Sequence, residues 1–118
     1  MGQVIEINQK RFFNLTEARD LLPIVRRITE RSFQEVKRLS SQLAYSKDKD
    51  KKAELEKEIQ RTFQSWTAKL SKLGCDAKGM WLVDFDSGEG YFCWHYPEPS
   101  IQYFHGYFDG FRGRVRIH

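Results

Sequence analysis

No apolar stretch in this chain approaches the roughly 20 residues that a membrane-spanning helix requires. The opening segment, MGQVIEINQK, has no basic region followed by an apolar one, and Glu6 stands where a myristoylation signal would carry Ser or Thr. The expectation is therefore a cytoplasmic protein without signal, lipid anchor or membrane partner. Cysteine is scarce: Cys75 and Cys93 allow one disulfide at most. Nothing else marks secretion, so reduced thiols are expected, one of them in a core. The chain also lacks a glycine-rich phosphate loop, a nucleophile elbow, a C-x-x-C pair and an H-x-x-x-H helix pair. The common signatures of nucleotide-binding proteins, α/β-hydrolases and zinc proteins are thus missing. Neither an internal repeat nor a low-complexity tract is present.

What is there suits one domain over residues 1–118, with 40% apolar and 31% charged residues. The net charge of +4 is unevenly spread. Residues 1–45 carry eight basic and five acidic groups, and so do residues 46–74, whereas residues 75–118 carry four basic and six acidic groups. The positive charge belongs to the first half and the slightly acidic remainder is aromatic.

Asn14 is a good N-cap and Glu17 follows at the spacing of a reciprocal capping box. From there Leu21, Val25, Ile28, Ser32, Val36, Leu39 and Leu43 step along one helical face. Pro23 predicts a kink or a broken first turn. Residues 46–52, SKDKDKK, read as a solvated connector. A second stripe of Leu55, Ile59, Phe63, Trp66, Leu70 and Leu73 then ends at Gly74, a natural residue after a helix C-terminus. Two such stripes predict a long antiparallel helical hairpin over residues 14–74.

After Gly74 the period changes to 2. MWLVDF, YFCWHY and SIQYFH are aromatic and β-branched runs, separated by DSGEG and PEP, and they predict a small antiparallel aromatic-rich sheet. The fold class is α+β, with sheet and C-terminal loop over residues 75–118 and a further short strand near the end. QVIEI is a weaker strand candidate. Eleven of the seventeen aromatic residues fall between Trp81 and Phe111, as expected where a small sheet must bury area with rings. Alternation places Phe92, Trp94 and Tyr96 on one face, and Tyr91, Cys93 and His95 on the other.

The series FNLTEARDLLPIV, LVDF, CWHYPEP, YFH and DGFRGR resembles, in order and over Phe12 to Ile117, a family of small prokaryotic proteins grouped as domain of unknown function 2203. That family's pattern runs F-T-L-E-E-A-x-x-L-L-P, V-D-F, C-W-R, G-E-P, F-W-H and G-F-x-G-R. The resemblance marks Pro23, Asp84, Phe85, Cys93, Trp94, Glu98, His105, Gly110, Phe111, Gly113 and Arg114. His95 stands where the family usually has Arg, and Phe104 where it usually has Trp. The resemblance implies no particular activity or cofactor.

Among the polar residues of the aromatic half, Asp84, Glu98, His105 and Arg114 are expected to converge on one side of the sheet. Glu98 is held between two prolines and Arg114 follows a glycine. A hydrolytic reading makes His105 a general base oriented by Glu98 or Asp84, with Arg114 binding an anion. The preferred reading is a hydrogen-bonded brace for the C-terminal loop. A metal reading would use Cys93, His95 and His105; the expectation is no metal and no cofactor. Trp94, His95, Phe104, Phe111, Arg112 and Arg116 are candidate binding residues, and with the RGRVR tail they raise a nucleic-acid alternative. Phe33, Ile24 and Trp66 favour pairing of two hairpins in a coiled-coil-like homodimer. The function expected is a non-catalytic protein-interaction or assembly module that self-associates.

Overall fold

Asn14 caps the first helix as its spacing predicts. Its Oδ1 accepts from the Glu17 N–H at 2.7 Å, and the Asn14 N–H donates to Glu17 Oε1 at 2.9 Å. The computed structural model describes residues 11–117, so the strand expected at QVIEI lies outside the described residues. Helix α1 (Leu15–Tyr45) passes Pro23 without a break. Arg19 and Pro23 are both exposed, so solvent can serve the carbonyl that Pro23 cannot bond. Helix α2 (Lys49–Lys72) starts earlier than the charged run suggests. Asp48 caps it by accepting from the Asp50 N–H at 2.9 Å, and lysines are good helix formers. The connector shrinks to residues 46–48, which makes the two helices an antiparallel hairpin.

Gly74, at φ +84°, turns the chain out of α2. Five antiparallel strands follow in sequential order: β1 (Asp76–Gly79), β2 (Leu82–Asp86), β3 (Tyr91–His95), β4 (Tyr103–His105) and β5 (Val115–Arg116). The sheet therefore has more strands than the three aromatic runs indicate. The sequence of β1, DAKG, carries no strand signal; its pairing with β2 holds it there. Met80 and Trp81 form the turn into β2 rather than opening the strand. Trp81 adopts φ +65°, a conformation that costs a bulky residue roughly 1–3 kcal/mol. Packing over-determines it: the indole lies 4.7 Å from the Phe63 ring, 5.0 Å from Trp66 and 5.8 Å from Phe33, centroid to centroid.

The register sorts the two faces. Val83 pairs with Trp94, and Phe85 with Phe92, on the side that packs on the helices. There they join Phe13, Ala18, Leu22, Val25, Trp66 and Leu70 in one core. Phe33 and Trp66, expected to seek a second hairpin, are engaged within the chain. Phe33 lies 5.0 Å from the Tyr96 ring, and the Trp66 indole N–H donates to Thr29 Oγ1 at 2.9 Å. Trp94, a candidate binding ring, is fully buried because it faces the helices, and its N–H donates to the Glu98 carbonyl at 2.9 Å. Arg26 reaches from α1 to the carbonyls of Glu98 (3.1 Å) and Pro99 (2.6 Å). Arg19 donates to the Ile101 carbonyl at 3.0 Å. Both arginines fasten the turn between β3 and β4 to α1.

Candidate functional site

The opposite face of the sheet carries a polar cluster under the C-terminal segment. Asp84 is the cross-strand partner of Cys93, and Asp86 that of Tyr91, which in turn pairs with His105. Cross-strand partners share a face, so β2, β3 and β4 deliver all five side chains to one side. His105 Nε2 lies 3.1 Å from each Asp84 carboxylate oxygen, and the two side chains are only 3% and 2% exposed. His105 Nδ1 lies 2.8 Å from the Gly106 carbonyl, which can only accept. Nδ1 therefore carries a proton, and one further proton is held between Nε2 and Asp84. Burial is the largest influence on Asp84 and pushes its carboxyl above the usual carboxylate range, while His105, Cys93 and Lys78 pull it partly back.

Glu98 and Arg114 form the second pair. Arg114 Nη1 and Nη2 donate to Glu98 Oε1 and Oε2 at 3.1 and 2.5 Å, a two-pronged contact. The same carboxylate accepts from the His95 N–H at 2.8 Å, so the prolines beside Glu98 present it in a tight turn. Arg114 also lies 3.9 Å from the Tyr103 ring centroid and 4.2 Å from that of Phe111. Burial works against its charge, but the bonds to Glu98 outweigh that and its pKa rises.

Cys93 stands between the pairs. Arg114 Nη1 approaches its sulfur at 3.9 Å, and Asp84 bonds it from the other side. Burial, seconded by the Asp84 charge, pushes the thiol up to about 12. That is the opposite of an activated nucleophile. Cys75 is buried in the core and likewise pushed up to about 12; both cysteines are free.

The structure thus gathers Asp84 with His105, and Glu98 with Arg114, and joins them through Cys93. Sequence reasoning put Cys93 beside His95 and His105, but His95 sits apart with its ring 5.5 Å from Phe111. Asp84 takes its place: ligand atoms of Asp84, Cys93 and His105 all lie within 4.8 Å of one another, so these three could hold a metal ion. Asp86 was also missed; it accepts from the Tyr107 hydroxyl at 2.7 Å and from the Gly88 N–H at 2.9 Å. Its i+2 alternation from Asp84 was the available signal.

Above this cluster the segment Gly106–Arg114 crosses to β5. It is tied by the Tyr107 hydroxyl, by Arg114, and by Asp109, which accepts from the Gly106 N–H at 3.1 Å. Phe108, at its outermost point, is 100% exposed, and Tyr107, Phe111 and Val115 are exposed nearby. Arg112 and Arg116 are also exposed, whereas Phe104 is half-buried with its ring 5.7 Å from Phe92. A shallow groove of about 780 Å³ runs along α1, lined by Pro23, Arg26, Arg27, Glu30, Arg31, Gln34, Glu35 and Arg38. None of the cluster residues lines it.

No helix among the described residues is long and apolar enough to cross a membrane. No curated protein and no solved structure matches the chain. The model of one family does match, over residues 11–117, and by this near-complete coverage the chain belongs to the family described as uncharacterized conserved protein (DUF2203).

Proposed function

We propose that this protein is a non-catalytic interaction module that presents its C-terminal loop to a protein partner. One observation carries the reading: a fully exposed phenylalanine, Phe108, sits on a loop whose root is tied by specific, partly buried side-chain hydrogen bonds. Ordering such a loop costs conformational entropy, and an exposed ring returns none of it by burial. A rigid aromatic anchor on a preorganised segment is, however, what lowers the cost of binding. Exposed Arg112 and Arg116 follow the anchor on the same C-terminal segment, so the complementary surface is an apolar socket with acidic groups nearby.

Catalysis is less well supported. His105 is almost sealed from solvent, and the Cys93 thiol is held in its unreactive form. Of the three residues expected to pair two hairpins, Ile24 stays exposed, whereas Phe33 and Trp66 are satisfied internally. Nucleic-acid stacking loses Trp94 to the core, and the Tyr103 ring is already covered by Arg114.

The test is selection of peptides from a displayed library on purified protein, followed by anisotropy measurements on the winners. Acidic, apolar peptides that bind wild type and lose at least tenfold affinity for Phe108→Ala, at unchanged melting temperature, support the reading. A doubled mass in light scattering that Phe108→Asp leaves intact and Ile24→Asp abolishes would return the helical homodimer. Salt-sensitive binding of single-stranded RNA, lost on changing Arg112 and Arg116, would favour the nucleic-acid alternative.

A further inference from the structure

We propose that Asp84, Cys93 and His105 form a three-ligand site for a divalent transition metal, zinc or a zinc-like ion, that joins β2, β3 and β4 beneath the C-terminal loop and leaves the fourth position to water. The three ligand atoms lie within 4.8 Å of one another. The Asp84 oxygens stand 3.1 Å from His105 Nε2. In a tetrahedral zinc site, metal–ligand distances of about 2.0–2.3 Å place neighbouring ligand atoms about 3.3–3.6 Å apart. Small side-chain shifts separate the two arrangements. The ion would occupy the space now held by the proton between Asp84 and His105.

The surroundings fit a metal-bound imidazole and thiolate. The His105 Nδ1–H donates to the Gly106 carbonyl at 2.8 Å, which fixes the tautomer and leaves Nε2 for the ion. Arg114, 3.9 Å from the Cys93 sulfur, offers a positive charge to a thiolate. A mixed sulfur, nitrogen and oxygen donor set selects a zinc-like ion over calcium or magnesium. Charge balances as well: a dication with one carboxylate, one thiolate and a neutral imidazole makes a neutral buried site. Binding expels the Cys93 proton and the proton shared by Asp84 and His105, so two positive charges replace two others.

The site is independent of what the loop binds, and cobalt(II) is the probe. Untagged full-length protein, stripped by chelator and shown to be folded, is titrated with Co²⁺. We expect one equivalent to produce a near-ultraviolet thiolate-to-cobalt absorption with visible tetrahedral bands, and Zn²⁺ to displace it. Zn²⁺ should also raise the melting temperature of wild type and release protons into weak buffer. Cys93→Ala should lose the near-ultraviolet band, and Asp84→Asn should weaken binding at least tenfold. Should Cys93→Ala not fold, Cys75→Ala decides the matter: it should keep the wild-type band and proton release, and their loss in that variant overturns the proposal. No thiolate band with excess cobalt, or a band that persists in Cys93→Ala, overturns the proposal.

Discussion

Removing half of the Asp84–His105 pair strands the other half in a site that water barely reaches. In metal-free protein His105→Ala should therefore cost about 3 kcal/mol, measured by urea unfolding, more than an exposed ion pair ever does. Gly90 illustrates a different constraint. A Cβ there would stand 2.5 Å from the Phe104 ring and 2.7 Å from the His105 carbonyl, and backbone does not yield. Gly90→Ala should destabilise by about 1–3 kcal/mol in the same assay. The thiols add a pH dependence. Both Cys75 and Cys93 are raised from an ordinary value of 9.0 to about 12, so the folded state keeps protons that the unfolded state releases. Stability is fully present below pH 9 and falls as pH climbs towards about 12. At pH 8 iodoacetamide should label neither thiol in the native, metal-free protein and both in urea.

At the scale of elements, the capping box at Asn14 is local and independent of the core, so Asn14→Ala should lower stability by about 1 kcal/mol. That independence also explains why it could be read from sequence. Asn14, Glu17, Gly74 and the two apolar stripes act within a few residues of themselves, and their structure follows from spacing alone. The alternation of Tyr91 to Tyr96 gave the faces of β3 for the same reason. DAKG was not legible as a strand because its pairing with β2, not its own propensity, holds it. Trp81 was misplaced because its positive φ is fixed by Phe33 and Phe63, residues far away in the chain. The polar cluster was half legible: charged residues on an aromatic sheet raised the suspicion of a brace. The register that sets Asp84 against Cys93 is a non-local property, which is why Asp84 and His95 changed places in the expected ligand set.

Across the whole molecule, the sheet covers only part of a hairpin whose α1 alone spans about 46 Å. The core reaches along the helices to Val36 and Phe63, while Leu39 and Leu55 are buried outside it and Tyr45 is largely exposed. Native-state hydrogen exchange should find the hairpin tip opening at far lower free energy than the stretch from Leu22 to Thr29. Arg19 and Arg26 give this unevenness a mechanical meaning. They rivet the turn carrying Glu98 to the well-packed half of α1, and Glu98 in turn grips Arg114 at the root of the loop. The hairpin is then a cantilever: its free end can flex while its fixed end, the turn and the loop root move as one body. A load applied to Phe108 is borne by α1 through two arginines, and cutting Arg26 would loosen the loop from a distance without touching a residue in it.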